Sequence, residues 1–434
     1  NQIPEAATKS AAFRLENRSE YMKILLLHDV GADKQNGVSV SLGILTRELE
    51  KSGYDIRVLT LADGTKSFKE GNNYQLSSMP AFIYPGIRMR PPVHHRYIEE
   101  LIEWNPEIIH TNCEFSTFLT AGHIHSHCAV TPAWIHTFHT DYKYYIGLLQ
   151  NIHAIRDGVV PRFLNHCFKK CDALIVPTEK MYHYVKDGGF SDKINMKIIP
   201  TGIDFSELKA QDAVSPADTK KELGLPEDAK IILFLGRISA EKNLDELLDH
   251  FAAYTKHHDN IYLVTVGDGP YKETLVKRVK KLGIEDRVIV HDGVKHTDIR
   301  RFYDAADVFA SASESETQGL TFYEALYCGV PVLAKDRECL EGAVTDGVNG
   351  AFFEDEASFA EALERILPVK EQNIGKPAAT LPKAFESEQF AKDVAALYEE
   401  AWNFHTQRKK TSFERLADNG RSLGKKLRFK ITKK

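Results

Sequence analysis

The feature that most constrains the fold is a repeated order of short apolar runs and longer helical patterns. The first run, Lys-Ile-Leu-Leu-Leu-His at residues 23–28, has the nearly unbroken apolar character of a parallel strand buried on both faces. After a turn with glycine, Val38 to Ser52 has the spacing of an amphipathic helix, and Gly53 follows it. Further strand candidates that adjoin helical sequence are Ile56–Leu59, Ile108–His110, Ala133–His136 and Ala173–Val176. The alternation predicts an α/β fold whose parallel sheet is covered by helices on both faces.

The same alternation begins again after a polar stretch. Residues Ile203 to Asp228 contain Pro216 and Pro226 and are interpreted as a linker. The strand candidates beyond it are Ile231–Leu235, Ile261–Val266, Val288–His291, Val308–Ala310 and Pro331–Ala334. Two such series predict two doubly wound domains, and ligands of these sheets bind beyond the carboxyl ends of the strands. We therefore expect the active site in a cleft between the two domains.

These patterns divide the chain into five predicted segments. Residues 1–21 contain no apolar stretch typical of a secretion signal, so we interpret them as a leader or an expression remnant. Residues 22–202 and 203–385 are the two predicted Rossmann-like domains. Residues 386–406 are predicted to be a C-terminal helix with one buried face, and residues 407–434 a basic tail.

The basic tail separates charge along the chain. The formal net charge is -5, yet residues 408–434 contain eleven Lys and Arg against one Glu and one Asp. Leu427, Phe429 and Ile431 alternate with cations there, which suits an anionic lipid surface, although a disordered tail in solution is the alternative. The sequence has no apolar run of the roughly 20 residues that a membrane-spanning helix needs. No sequence feature indicates a nucleic-acid partner.

Two carboxylates frame the most informative motif. Glu316 and Glu324 lie eight residues apart in a segment that follows a predicted strand and opens a predicted helix. Gly319 between them would present backbone N–H groups at a helix N-terminus, where anions bind. A carboxylate can also accept hydrogen bonds from two adjacent sugar hydroxyls. The alternatives are a hydrolytic carboxylate pair and a helix whose acidic residues only complement its macrodipole.

Two further loops follow strands of the second predicted domain. Arg237 and Lys242, in the segment Gly-Arg-Ile-Ser-Ala-Glu-Lys-Asn, supply a bidentate fork and a point charge suited to a diphosphate, and an ordinary solvated loop is the alternative. The Gly-Asp-Gly-Pro turn at residues 267–270 is a weaker signal. In the first domain Gly37 lies where a phosphate-binding turn would, although full Rossmann and Walker patterns are both absent.

Histidines and cysteines give one catalytic candidate. His139 lies among polar residues just after a predicted strand, and its imidazole could donate a hydrogen bond to a sugar or take up a proton. His123, His125 and His127 alternate as on a strand, which leaves a metal site there as a minor alternative. The six cysteines lack the spacing of a zinc site, so we interpret them as buried free thiols in a reducing cytoplasm.

Together these residues resemble the retaining glycosyltransferases of family 4, which have the GT-B fold. The likeness covers nearly all of the chain from Met22 to Phe404, and its most specific part is the Glu-x7-Glu spacing of Glu316 and Glu324. Four other motifs match in order: Pro-Thr-Gly-Ile-Asp from residue 200, the loop at residues 236–243, the turn at residues 267–270 and Cys-Gly-Val-Pro-Val from residue 328.

The resemblance implies that the first domain takes the acceptor and the second a nucleotide sugar, with no cofactor. The donor-binding residues would be Gly37, Arg237, Lys242, Val294, Glu316, Gly319, Leu320, Thr321 and Glu324. The catalytic residues would be His139, Glu316, Arg237 and Lys242. In this scheme Arg237 and Lys242 hold the diphosphate and Glu324 the ribose. Transfer would retain the anomeric configuration, and no metal is expected because the chain contains no Asp-x-Asp.

A narrower likeness concerns the acceptor. The segments Ile-His-Thr-Asn-Cys-Glu-Phe-Ser from residue 109 and His-Thr-Phe-His-Thr-Asp-Tyr from residue 136 are similar to bacterial diacylglycerol glucosyltransferases, with a departure at Asn112 and Cys113. One hypothesis is therefore a cytoplasmic enzyme, peripheral at the inner face of the cell membrane, that moves glucose from UDP-glucose to diacylglycerol in α linkage. A second keeps the chemistry with a soluble, protein or cell-wall acceptor. A third is a non-catalytic GT-B binding protein.

Overall fold

Two α/β units make up most of the chain that the structure describes. The computed structural model describes residues 22–30, 37–80, 88–91, 93–142, 158–188, 190, 194–210, 214–372 and 381–407. The segment interpreted as a leader and the basic tail beyond residue 407 lie outside these ranges. The predictions made for those two segments therefore stay predictions.

The first unit is built on a sheet of eight strands. Eight of the first ten strands in the chain form it, and all ten are β1 Lys23–Leu27, β2 Asp55–Ala62, β3 Phe68–Glu70, β4 Asn73–Ser77, β5 Met79–Pro80, β6 Arg88–Met89, β7 Ile108–Thr111, β8 Ala133–Thr137, β9 Ala173–Val176 and β10 Met196–Ile198. The order across the sheet is β10-β9-β8-β7-β1-β2-β4-β3, and only β3 runs antiparallel to its neighbour. Strands β5 and β6 pair with each other in a small separate sheet.

The second unit has a wholly parallel sheet of six strands. Its strands are β11 Lys230–Leu235, β12 Ile261–Val266, β13 Val288–His291, β14 Val308–Ser311, β15 Val332–Ala334 and β16 Gly350–Phe352. They lie in the order β13-β12-β11-β14-β15-β16. The residues of β11, β12, β14 and β15 are mostly buried, as expected for parallel strands with helices on both faces. The α/β fold with two Rossmann-like units is thereby confirmed.

Helices separate the strands throughout. In chain order they are α1 Gly37–Lys51, α2 Arg96–Trp104, α3 Ser116–His127, α4 Val160–Phe168, α5 Glu179–Asp187, α6 Phe205–Ala210, α7 Pro216–Glu222, α8 Leu244–Tyr254, α9 Lys272–Leu282, α10 Arg300–Ala305, α11 Leu320–Tyr327, α12 Glu356–Ile366, α13 Val369–Gln372 and α14 at residues 387–407. Short 3-10 turns occur at Ala240–Lys242, His296–Asp298, Glu338–Leu340 and Lys383–Phe385.

Helix α14 returns from the second unit to the first. Its buried residues Phe390, Val394 and Tyr398 share one apolar core with Ile24 and Leu26 of β1. The two segments that connect the units lie side by side, because the Ile203 N–H in one donates to the Phe385 carbonyl in the other at 2.8 Å. One face of the first sheet is therefore covered by the last part of the described chain together with α1.

Two local predictions were wrong. His123 and His127 lie on helix α3, where the His127 ring nitrogen is 2.8 Å from the His123 carbonyl, so their spacing is that of one helical turn rather than of a strand. The stretch after Ile203 is not a plain linker, because it contains α6 and α7. All six cysteines are free thiols, three of them buried and three half-buried.

Candidate active site

The strand order reverses once in each sheet, and the candidate site residues lie at both reversals. Strand β1 lies between β2 and β7, and β11 lies between β12 and β14. At such a reversal the adjoining connections leave toward opposite faces of the sheet, so a crevice opens beyond the carboxyl ends of the strands. His28 and Asn112 stand just past the first pair of strands, and Gly236 and Ala312 just past the second.

Helix α11 begins at this edge of the second unit, and Gly319 makes its sharp entry possible. Gly319 has a φ of 72°, in the left-handed region that favours glycine. A Cβ at this position would lie 2.4 Å from the Phe322 ring, so a larger residue does not fit. The first N–H groups of a helix have no partner within the helix. The sharp turn at Gly319 therefore places the N–H groups of Leu320 and Thr321 at the N-terminus of α11. These are the N–H groups that are predicted to bind the donor.

Two predicted site residues of the second unit contact each other directly. The Lys242 ammonium donates to a Glu316 carboxylate oxygen at 2.6 Å, and both side chains are about four-fifths buried. Lys242 ends the 3-10 turn after β11, whereas Glu316 lies in the loop after β14. The Ser315 hydroxyl joins the same two loops by donating to the Glu241 carbonyl at 3.1 Å. Arg237 lies exposed nearer β11 in the first of these loops.

The Gly-Asp-Gly-Pro turn has a structural explanation. A Cβ on Gly267 would lie 1.9 Å from the Gly236 carbonyl oxygen, and one on Gly269 would lie 2.1 Å from the Ile238 carbonyl oxygen. The two loops thus approach each other backbone to backbone, which only glycine permits. This close approach fixes the direction in which the loop with Arg237 leaves the sheet.

Glu324 lies on helix α11 with both carboxylate oxygens occupied. The Tyr303 hydroxyl donates to one oxygen at 2.8 Å, and His296 Nε2 is 3.2 Å from the other. Burial, followed by the charge of Glu324, raises the pKa of Tyr303 well above its usual range, so this phenol remains a donor. Val294 is half-buried and lies two residues before His296 in the loop after β13. Each carboxylate oxygen keeps a further lone pair for a ligand.

His139 lies beyond β8 in the first unit. Its Nε2 atom is 3.1 Å from the Asn112 side-chain oxygen, which makes that nitrogen the donor. Burial, followed by the nearby His136 ring, lowers the pKa of His139 to about 4, so the imidazole is neutral at neutral pH. Gly37 differs from its prediction, because it is the exposed first residue of α1 rather than part of the preceding turn.

A buried polar network surrounds His139 that sequence reasoning did not identify. The Glu114 carboxylate lies 3.2 Å from His136 Nε2, and it accepts a hydrogen bond from the Tyr142 hydroxyl at 2.7 Å. His136 Nδ1 is in turn 2.8 Å from the Thr111 hydroxyl. None of these residues stands out in its own stretch of sequence. The network can be recognised only when the pairing of β7 with β8 brings the residues together.

Lys180 connects the two units at the Glu316 loop. Its ammonium donates to the carbonyls of Glu314 at 2.6 Å and Glu316 at 3.0 Å, and to the Asp336 carboxylate at 2.5 Å. Asp141, two residues after His139, has a carboxylate oxygen 3.9 Å from the same ammonium. Lys180 belongs to α5 of the first unit, so that unit helps to shape the loop of the second. Sequence analysis missed it because no local pattern marks a contact across 136 residues.

A second contact between the units lies beside Gly319. The Gln318 side chain accepts from the Thr201 N–H at 2.7 Å and donates to the Thr201 carbonyl at 2.9 Å. The Thr178 hydroxyl also donates to the Thr317 carbonyl at 2.8 Å. The structure thus brings Glu316, Gly319 and Lys242 together and links them to the His139 side through Lys180.

None of the helices described is both long and apolar enough to cross a membrane. Within the described ranges, no group of three or more His, Cys, Asp or Glu side chains is placed to hold a metal ion.

Comparison with known proteins agrees with this two-unit arrangement. Residues 35–207 match the family described as Glycosyltransferase Family 4, and residues 216–378 match Glycosyl transferases group 1. Among solved structures, a sucrose-phosphate synthase from Thermosynechococcus elongatus superposes with a TM-score of 0.66 at 22% identity, covering 88% of this chain and 99% of that one. The Anabaena protein HepE in complex with UDP and glucose gives 0.65 at 17% identity, covering 87% and 100%. The fold and site define a GT-B protein.

Relatives of similar length carry the family assignment further. The alpha-monoglucosyldiacylglycerol synthase of Streptococcus pneumoniae (strain ATCC BAA-255 / R6) is 30% identical over 384 residues, covering 88% of this chain and 86% of the relative. The enzyme of the same name from Acholeplasma laidlawii is 27% identical, covering 84% and 93%. The chain belongs to the family 4 glycosyltransferases of GT-B fold.

Proposed function

We propose that this glycosyltransferase moves a hexose, glucose by preference, from a UDP-sugar to a membrane lipid such as diacylglycerol, with retention and an α-linked product. The observation that carries the proposal is the Lys242–Glu316 pair at the start of α11, held from the other unit by Lys180. The relatives named for synthesis of alpha-monoglucosyldiacylglycerol support the lipid acceptor.

The donor site would use charge and helix geometry together. Arg237 and Lys242 would hold the diphosphate, helped by the N–H groups from Gly319 to Thr321. Lys242 carries three N–H donors, one of which goes to Glu316. Glu324 would accept the ribose hydroxyls with its remaining lone pairs.

The remaining donor residues would surround the sugar and the base. Val294 would line the donor pocket beside His296. Glu316 would lie against the transferred sugar, and Gly37 would approach the phosphates from the first unit. His139 would contact a sugar hydroxyl. Because its pKa is lowered to about 4, His139 would act through neutral hydrogen bonds rather than as a cation.

Retention follows if the acceptor attacks the face from which the diphosphate departs. The bond between the anomeric carbon and the phosphate oxygen breaks, and a bond from the acceptor oxygen to that carbon forms. The acceptor proton passes to the departing phosphate oxygen. The main task of the protein is then to stabilise the charge on the leaving group, which Arg237 and Lys242 would do.

The lipid acceptor requires contact with a membrane, and the basic tail would provide it at the inner face of the cell membrane. Residues 421–434 carry seven cations. At about 1 kcal/mol per near-surface charge, even half of that total would shift partitioning more than tenfold. Deletion of residues 421–434 should reduce sedimentation with phosphatidylglycerol vesicles at low salt and leave donor hydrolysis unchanged. Equal sedimentation of the full-length and the truncated protein would show that the tail does not bind the membrane.

Acceptor choice decides between this function and the alternatives. UDP release from UDP-glucose is measured with vesicles that contain diacylglycerol, with soluble sugars and with no acceptor, and the product anomer is read by NMR. Lipid-dependent release with an α-linked product is expected. Release that depends on a soluble, protein or cell-wall acceptor would support the second hypothesis. No release with any donor, together with retained UDP binding, would support a non-catalytic binding protein.

A further inference from the structure

Two buried polar atoms at the carboxyl end of β1 lack hydrogen-bond partners among the described residues. They are Nε2 of His28 and Oδ2 of Asp29. Both side chains are only 2% exposed. Polar atoms buried in this way are normally paired, because leaving a donor or acceptor without water is costly. Two such atoms in consecutive residues, where the strand order reverses, indicate a site at which a bound ligand supplies the missing hydrogen-bond partners.

The packing of this segment accounts for only one polar atom of each side chain. Oδ1 of Asp29 accepts the Thr117 N–H at 2.6 Å, and so caps α3, whose own N-cap residue Phe115 provides no side-chain bond. Nδ1 of His28 lies 3.1 Å from the Cys113 sulfur. Both residues are thus fixed by the segment from Cys113 to Thr117. Burial raises the pKa of Asp29, and the Thr117 hydroxyl and the Ser116 N–H lie close enough to oppose this rise. Neither Oδ2 of Asp29 nor Nε2 of His28, however, has a described partner in hydrogen-bond geometry.

The hydrogens on this cluster can be assigned. Burial raises the pKa of the Cys113 thiol well above its usual range and lowers the pKa of His28 to about 3, so both are neutral near pH 7. A ring nitrogen is a stronger acceptor than a thiol sulfur, so the thiol donates to Nδ1. The ring hydrogen then lies on Nε2. The cluster consequently offers one donor at His28 and one acceptor at Asp29.

The cluster adjoins the residues proposed to contact the sugar. Asn112, which holds His139, also donates to the Leu27 carbonyl just before His28. His28 and His139 are close enough for the charge on one to oppose protonation of the other. A group bound by His28 and Asp29 would therefore lie on the acceptor side of the crevice, near the sugar to be transferred.

We propose that His28 and Asp29 bind the glycerol end of the lipid acceptor, with His28 donating to one of its ester oxygens. Asp29 accepts from its free hydroxyl before transfer, and that proton moves to the departing phosphate oxygen as the bond to the sugar forms. Diacylglycerol has one hydroxyl donor and several oxygen acceptors at that end, which matches one acceptor and one donor in the protein. Cys113 acts as a positioning residue that fixes the His28 ring. The inference rests on the proposed function, because it takes a lipid alcohol as the acceptor.

A matched pair of substitutions distinguishes the roles of the two ring nitrogens of His28. The amide nitrogen of Asn overlaps the position of Nδ1, whereas that of Gln reaches the position of Nε2. In full-length protein with UDP-glucose, His28→Asn should lower kcat/KM for dioctanoylglycerol in mixed micelles by about tenfold, the loss of one well-formed hydrogen bond. His28→Gln should stay within about threefold of wild type. Hydrolysis of UDP-glucose without acceptor should be unchanged in both.

Asp29→Asn keeps the oxygen that caps α3 but replaces the inward oxygen with a donor. It should also lower kcat/KM for the lipid by about tenfold while its thermal midpoint stays near that of wild type, and it carries the test if His28→Asn fails to fold. Equal kcat/KM values for His28→Asn and His28→Gln, or wild-type values for all three variants, would mean that the atoms hold only water and would overturn the proposal. Wild-type protein that hydrolyses UDP-glucose yet transfers nothing to dioctanoylglycerol would overturn the proposed function first.

Discussion

The two sheet edges that face each other use ionisable residues in opposite ways. At the first, His28, His139 and Asp29 are buried, and burial moves their pKa values to about 3, 4 and 6, against the charged form in each case. At the second, Lys242 and Glu316 form an ion pair that keeps partial contact with solvent. The contrast teaches that the same topological position can hold buried ionisable groups whose charged form is disfavoured or a partly exposed ion pair.

The difference arises from what lies beyond each pair of strands. In the first unit, side chains near the carboxyl ends of the strands bond to one another, as Glu114 does with His136 and Tyr142. These contacts exclude water. In the second unit glycine turns bring backbone and cations to the edge, and Gly319 starts a helix there. A desolvated site favours neutral partners, whereas cations beside a helix start favour anions.

Lys180 is a cation that contacts both edges, and its removal should have the largest effect on stability. Lys180→Met leaves the Asp336 carboxylate buried without its partner, so the free energy of unfolding should fall by about 3–5 kcal/mol. Urea unfolding measures this, and Lys186→Met on the exposed face of the same helix is the control. Lys180→Met with Asp336→Asn should recover much of the loss. Equal stability of Lys180→Met and Lys186→Met would show that the two edges are not joined in this way.

Removing charge from the second edge should weaken use of the donor. Arg237→Ala and Lys242→Ala each delete a charge-assisted contact worth about 1.5–3 kcal/mol, so kcat/KM for the nucleotide sugar should fall at least about tenfold. Lys230→Ala, at the opposite end of β11, removes a comparable ion pair with Asp307 and should have little effect. Initial rates over a range of UDP-glucose decide the matter. Activity within twofold of wild type for both would contradict the assigned roles.

The pH dependence of stability tests whether His28 at the first edge is neutral in the folded protein. His28 has a lowered pKa in the fold, so its contribution to stability is present above the unfolded pKa near 6.5 and is lost as pH falls toward 3. Between pH 7 and pH 5 wild type should lose about 2 kcal/mol more than His28→Asn. Asp29, with a raised pKa, acts in the opposite direction but is present in both proteins. Equal losses in urea unfolding would show that His28 titrates normally.

Chelation should have the smallest effect. If Arg237, Lys242 and the start of α11 neutralise the diphosphate, turnover in EDTA should remain within about twofold of that without it, because two cations and a helix N-terminus replace a metal ion. Steady-state rates before and after dialysis against EDTA test this. A requirement for Mg²⁺ or Mn²⁺ that monovalent salt does not replace would mean that the second edge is incomplete without a metal ion.

The fold could be predicted because both sheets are made of buried parallel strands with unbroken apolar runs. The short strands β3 and β4 escaped prediction, and β3, at the edge of the sheet, is wholly exposed and has no such run. At the candidate site, Glu316, Lys242 and Gly319 stood out because they lie in compact local motifs. Lys180, Tyr303 and His296 did not, because each meets its partner across 21 to 136 residues of chain. Local spacing does not contain that information.

The return of helix α14 to the first sheet has a consequence for how the protein is made. Residues 390–402 cover a face of β1 that emerges from the ribosome more than 360 residues earlier. Until they arrive, Ile24, Leu26 and Ile135 are covered on that side only by apolar residues of the first unit, such as Leu42 and Leu45 of α1, although the second unit can already fold. The nascent first unit should therefore depend on chaperones during synthesis. A fragment that ends before residue 387 should aggregate, and a separately supplied peptide of residues 387–407 should rescue it.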